Sequence, residues 1–181
     1  MQHCGEEMYG MVCRVCGRSA REISMAHHGE AKFRDVVTVQ WTLHRDLDEM
    51  AAIEDVVFAD PWNSNQLRGV MAQRNVISLT AKHSCGAIGG YMIYQLQKGR
   101  IVINRLAVLP TSQRRRIGTA LAARLIEKVR YGSRNKVTCI VPERNMGALL
   151  FFRALNFRAV RIHRDWDAEG DGYEMTWHRT S

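Results

Sequence analysis

The sequence predicts a mixed α/β domain of roughly 140 residues, Thr38 to Trp177, and three observations predict it. β-rich runs alternate with amphipathic helical stripes along that stretch. Three of the runs follow one another through tight turns, as in an antiparallel meander. One helix carries an apolar stripe, Ile117, Leu121, Leu125 and Val129, that closes at Gly132. The predicted order is β-α-α-β-β-β-α-β-α-β-β, about seven strands and four helices around a mixed, mostly antiparallel sheet.

Each element has its own reason. VTVQWTLH, from Val37, alternates like a strand, and Asp46 then stands at an N-cap position ahead of LDEMAAIEDVVF, with Leu47, Met50, Ile53, Val56 and Val57 as its apolar positions. Pro61 stops that helix, and Asn63 or Ser64 caps a short second one carrying Leu67, Val70 and Met71. NVISLTAKH, IGGYMIYQLQ and RIVINRLAVLP form the meander, turning at Ser84-Cys85-Gly86 and Lys98-Gly99. After the long helix come the strand KVTCIVP, a helix from Asn145 through Leu155, the strand FRAVRIH, a polar loop from Asp165 to Gly172 and a last strand, YEMTW.

The 181-residue chain has 46% hydrophobic residues, which excludes disorder as its main state. No stretch approaches the roughly 18 apolar residues of a membrane span, and a soluble, cytoplasmic protein with no membrane partner is expected. Residues 1–36 lack any sustained period and are expected to be a flexible extension to a domain at 37–181. Five cysteines, three of them within the first 16 residues, argue against a disulfide framework. Cys13-x-x-Cys16 with Cys4, His3, His27 and His28 raises a zinc reading, but one CxxC without a second paired spacing is half of a structural site, and no metal is expected.

The formal charge is +8, and with only five lysines the excess is nearly all arginine. Such a balance favours a polyanionic partner. Nucleic acid is not the expected one, because no zinc-finger array, RNP signature or helix-turn-helix spacing is present.

The most informative stretch is Leu106 to Leu121, LAVLPTSQRRRIGTAL. A strand ends at Pro110, a polar loop carries three consecutive arginines, and a helix starts around Gly118. A helix N-terminus offers unpaired N–H groups and partial positive charge to a phosphate, and glycine lets the ligand approach the backbone. An arbitrary Arg-Arg-Arg run is more often a solvated basic loop, so the surrounding pattern decides.

That pattern resembles the GCN5-related N-acetyltransferase (GNAT) family. The family's phosphate signature, Gln/Arg-x-x-Gly-x-Gly/Ala after Val-x-Pro, corresponds to Gln113, Arg114, Arg115, Arg116, Ile117 and Gly118 after Val108-Leu109-Pro110. A second block, Asn-x-x-Ala-x-x-Phe/Leu-Tyr/Phe and onward to Gly/Asn-Phe, is met by Asn145, Ala148, Phe151, Phe152, Asn156 and Phe157. Asp60-Pro61-Trp62 and Arg164-Asp165-Trp166 look like the RimI-like enzymes, which acetylate the N-terminal alanine of a ribosomal protein. The resemblance implies acetyl-CoA as cosubstrate. It implies that Leu106, Ala107 and Val108 pair by backbone with the pantetheine arm. The loop Gln113, Arg114, Arg115, Arg116, Ile117, Gly118 and Thr119 would hold the diphosphate, and Asn145, which is equally an N-cap, would contact the cofactor.

Three departures bear on mechanism. Arg116 replaces the first signature glycine, where it either crowds the diphosphate or adds a charge to it. The general-base glutamate of RimI-like enzymes falls at Ile140, and the thiolate-protonating tyrosine falls at Phe152. An α-amine of pKa near 8 is about one-tenth free base at pH 7, whereas a lysine near 10.4 is only about 0.04% so. Doing without a base therefore costs about 1.4 kcal/mol for an N-terminal acceptor and over about 4 for lysine. Direct attack by a low-pKa amine in a ternary complex is the expected mechanism, with Glu143, acting through water, as the candidate base. Tyr91 and Tyr94 are alternative proton donors.

Three functions follow. The first is an acetyl-CoA-dependent acyltransferase acting on a protein N-terminus, such as that of a ribosomal protein. The second is acetylation of a small amine, for which Asp60, Asp165, Asp167, Glu169 and Asp171 would line an acidic pocket, though that acidity equally suits a protonated peptide N-terminus. The third is a non-catalytic acetyl-CoA-binding module lacking the usual Glu and Tyr.

Overall fold

The computed structural model describes residues 8–9, 12–13, 37–168 and 170–179. The zinc reading rests on Cys4, Cys16, His3, His27 and His28, which lie outside the described residues, and on Cys13, of which only the backbone is described. Met8–Tyr9 pairs with Val12–Cys13 as a two-stranded antiparallel ladder.

The predicted order holds. The strands are β1 (Thr38–Trp41), β2 (Val76–Lys82), β3 (Ile88–Gln97), β4 (Arg100–Val108), β5 (Lys136–Pro142), β6 (Arg158–Asp167) and β7 (Gly170–His178). The helices are α1 (Leu47–Val57), α2 (Ser64–Met71), α3 (Ile117–Arg130) and α4 (Met146–Ala154). One seven-stranded sheet runs in the order β1-β2-β3-β4-β5-β7-β6. β1 with β2, β5 with β7 and β6 with β7 are antiparallel. β4 and β5 are parallel, as the crossover through α3 requires.

The chain forms two compact units. The first holds the described residues up to Gln73, with Ser78–Met92 and Leu106–Leu121. Its core is built from Leu47, Met50 and Ile53 of α1, Leu67 of α2, Leu79 and Ala81 of β2 and Ile88, Tyr91 and Met92 of β3. Val56 is 59% exposed instead of buried, because Glu54, at 0%, takes the inward position on α1. Glu54 is satisfied there: its Oε2 accepts from the Trp62 amide and its Oε1 from the Tyr91 hydroxyl. Asn63 caps α2, accepting from the Asn65 and Gln66 amides. Asp46 holds the N-cap position of α1 but makes no side-chain cap bond. Its carboxylate instead accepts from Leu43 N and from Lys82 Nζ at 2.6 Å, a partly buried ion pair.

The second unit comprises Arg74–Ile77, Ile93–Arg105 and the described residues from Ala122 onward. β5 buries Val137, Cys139 and Val141, and Phe152 and Phe157 pack edge to face at 5.0 Å. β6 and β7 are longer than predicted, running to Asp167 and from Gly170, so the expected loop Asp165 to Gly172 is mostly hairpin strand; its Glu169 lies outside the described residues. Register shifts between Ala159 and Arg161 and between His163 and Asp167 bend that hairpin, and Asp165 takes φ 49°. These irregularities break the alternation past His163, so the predicted strand FRAVRIH covers only the first part of β6.

Candidate active site

In the first unit, β4 ends at Leu106, Ala107 and Val108, and a 3-10 turn, Pro110–Ser112, leads to the arginine loop. Gly90 of β3 lies against this strand end: a Cβ there would stand 2.6 Å from the Ala107 carbonyl oxygen and 3.2 Å from Val108 Cα. Only glycine permits that approach. Gln113 Nε2 donates a long, 3.4 Å bond to the Val108 carbonyl. Arg114 and Arg116 both adopt left-handed backbone, φ 64° and 63°, with Arg115 between them. Such alternation turns successive N–H groups toward one concavity, a nest that suits an anion.

The first helical bond of α3 runs from Ala120 N to Arg116 O at 2.8 Å, so Ile117, Gly118 and Thr119 present amides without intrahelical acceptors. Ile117 is buried and anchors the helix, whereas all three arginines are exposed. The predicted phosphate residues Gln113 to Thr119 thus form one loop and first helical turn. Arg116 occupies the glycine conformation of the signature without being glycine, at a backbone cost of about 1–2 kcal/mol. Nest, helix terminus and three cations together fit a diphosphate.

Also in this unit, Tyr91 is fully buried with its hydroxyl committed to Glu54, which removes it as a proton donor to a substrate.

The second unit holds the other sequence-derived candidates. Asn145 caps α4, its Oδ1 accepting from Ala148 N at 3.0 Å. Phe152 is 5% exposed and packed between Phe151 and Phe157. Tyr94 is 2% exposed, with Lys128 Nζ 5.9 Å from its ring centre. Burial pushes its hydroxyl up to about 12, with Arg124 pulling the other way.

Glu143 is exposed, its amide donates to Asp171 O, and its carboxylate lies over Gly170. It lines an open hollow of about 1050 Å³ together with Met146, Leu149, Tyr173 and Met175. Tyr173 and Met175 leave β7 on the face opposite their neighbour Glu174.

Two residues that sequence reasoning missed lie on that other face. Ile140 is paired directly with Glu174 across the β5–β7 ladder. Glu174 Oε2 accepts from His163 Nε2 at 3.0 Å, and the His163 and Trp166 rings meet edge to face at 5.8 Å. No linear motif joins positions 140, 163 and 174. Their meeting depends on strand register, which alternation alone leaves open. Among the described residues no group of His, Cys, Asp and Glu is arranged to hold a metal ion.

An acyl-transfer domain that takes a diphosphate-bearing cosubstrate is the class this fold and loop define. Residues 38–157 match the acetyltransferase (GNAT) family, and the chain belongs to that family. It is an N-acetyltransferase that draws the acetyl group from acetyl-CoA. The fold is similar to that of the ribosomal-protein-S18-alanine N-acetyltransferase of Escherichia coli, at TM-score 0.72 and 20% identity over 81% of this chain and 96% of that one. Arabidopsis thaliana NAA60 bound to a bisubstrate analogue gives 0.70 at 16% identity, covering 79% and 98%. Arabidopsis thaliana Naa50 bound to the bisubstrate analogue CoA-Ac-MVNAL gives 0.69 at 16%, covering 79% and 99%. No curated protein matches the chain in sequence.

Proposed function

We propose that the acceptor is the α-amine at a protein N-terminus, that of a ribosomal protein included, and that residues 37–181 form the catalytic domain with 1–36 as an extension. The observation that carries this reading is the ion pairing of the β6–β7 hairpin. Asp167 is held in a two-point pair by Arg144, at 2.8 and 2.9 Å, and Asp171 by Arg164. A polycationic small amine needs several carboxylates free of internal cations, and these two are already engaged. A single amine on a peptide makes no such demand.

The absence of a carboxylate at Ile140 and of a hydroxyl at Phe152 weighs the same way. An α-amine supplies about a tenth of its molecules as free base near neutrality, so it asks least of the enzyme. The structural neighbours named for alanine N-acetylation and for a peptide bisubstrate analogue support the same acceptor class.

In this reading the Leu106–Val108 backbone meets the pantetheine arm, Gln113 to Thr119 hold the diphosphate, and Asn145 contacts the cosubstrate. The long Gln113 bond to the Val108 carbonyl is readily given up to it. The amine attacks directly, with proximity supplying much of the rate, and Glu143 through water is the base that the sequence offers. Cys85 and Cys139 are free thiols, in keeping with a reducing compartment, the cytoplasm. Thiol release from acetyl-CoA with a panel of free-N-terminal pentapeptides, spermidine and an aminoglycoside tests the assignment. Turnover confined to the peptides supports it, turnover confined to the small amines refutes it, and none with any amine points to a binding module.

A further inference from the structure

Ile140 takes a carboxylate away from β5, and the ladder returns one from the neighbouring strand. Residues directly opposed in an antiparallel pair share a face, their Cβ atoms about 4.5–5.5 Å apart. Glu174 therefore projects beside Ile140, one strand over. Ile140 is also the first residue of β5 beyond the β4–β5 ladder, whose last pair is Ile103 with Cys139.

The surroundings hold this carboxylate in place. His163 occupies its Oε2, and Oε1 has no hydrogen-bond partner among the described residues. The Glu174 side chain is 17% exposed, partly withdrawn from water yet open to a ligand. Gly172, next on the same face, has no side chain, and a Cβ there would stand 2.7 Å from both Ile140 Cγ2 and Trp166 Cγ. Ile140 and Trp166 thus close over the glycine, and Trp166 braces the imidazole that braces the carboxylate.

We propose that Glu174, in place of Glu143, is the general base of acetyl transfer and that His163 is its positioning residue. The proposal rests on the reading of the chain as an amine acetyltransferase. The acceptor nitrogen attacks the thioester carbonyl carbon; a C–N bond forms, the C–S bond breaks, and its electron pair leaves with the CoA sulfur. The proton lost by nitrogen goes to Glu174 Oε1, and from there to solvent or to the departing thiolate. Charged or titratable neighbours are His163 and Arg161 on β6 and Cys139 on β5. Burial, reinforced by the charge of Glu174, pushes the Cys139 thiol upward, so it stays protonated and does not compete for the proton.

The test compares full-length variants on acetyl-CoA and a pentapeptide with a free alanine α-amine. Glu174→Gln is expected to lower kcat about 100-fold, with KM for acetyl-CoA within about 2-fold of wild type. Formate is expected to restore activity to Glu174→Ala, which a structural role does not allow. His163→Ala is expected to lose about 10-fold in kcat, and His163→Gln, which keeps an N–H donor, to regain most of it. Glu174→Gln within about 3-fold of wild type, or an activity loss that formate leaves untouched, overturns the proposal. So does loss of the acid limb of the pH–rate profile in Glu143→Gln but not in Glu174→Gln. Wild-type protein that acetylates no amine would instead overturn the reading on which the proposal rests.

Discussion

His83 Nε2 and Ser112 Oγ lie 3.0 Å apart, and the two residues are 3% and 0% exposed. His83 is fixed at a turn, its amide bonded to Ala87 O, and its ring sits over Gly89, where a Cβ would come within 2.5 Å of Nε2. Ser112 is the last residue of the 3-10 turn that opens into the arginine loop. The pair therefore ties the end of β2 to the start of the phosphate nest.

Ser112→Ala leaves the imidazole without this partner and is expected to cost about 1–3 kcal/mol of stability. Its kinetic signature is selective. KM for acetyl-CoA should rise several-fold, while kcat/KM for S-acetylpantetheine, which has no diphosphate, should stay near wild type. Equal losses on the two substrates would show that the pair does not act through the nest.

Arg116 sets backbone strain against charge. Arg116→Gly relieves the left-handed cost of about 1–2 kcal/mol but restores glycine's larger unfolded-state entropy, about 0.5–1 kcal/mol. The expected net is a Tm higher by roughly 1–4 °C in a thermal scan. The same variant should bind acetyl-CoA more weakly and with less dependence on salt, because one cation near the diphosphate is lost. Weaker binding with an unchanged salt dependence would assign Arg116 no electrostatic role.

Tyr94 makes stability fall in strong base. Its hydroxyl titrates near 10 in the unfolded chain and at about 12 when folded, so the folded state holds the proton more tightly. That contribution is intact below pH 10 and is lost as pH rises through 12. Tm of wild type should therefore drop more steeply between pH 10 and 12 than Tm of Tyr94→Phe, and parallel curves would contradict the burial argument.

Much of the fold was legible because its signals are local. The stripe Ile117, Leu121, Leu125 and Val129 is wholly buried, and the predicted strands IGGYMIYQLQ and KVTCIVP match β3 and β5 residue for residue. Bulges and a positive φ at Asp165 broke the alternation at the inner end of β6, so FRAVRIH and YEMTW were legible as strands but the stretch from Asp165 to Gly172 only as a loop. Glu54 defeated the hydrophobic pattern of α1, because a buried carboxylate is tolerated only with partners that come from elsewhere in the chain.

The site divides the same way. The loop from Gln113 to Thr119 is contiguous, so a linear motif can point to it. Glu174 and His163 are brought beside Ile140 by pairing between distant strands, which no spacing in the sequence encodes.

Transfer to a peptide α-amine is read out by locating the acetyl group. The protein is incubated with acetyl-CoA and a peptide carrying both a free N-terminal alanine and an internal lysine, with spermidine present as competitor, and the products are fragmented by mass spectrometry. A single acetyl group on the alanine nitrogen, with spermidine unmodified, is the predicted result. Acetyl on the lysine or on spermidine, with the α-amine left free, would rule out the α-amine as acceptor.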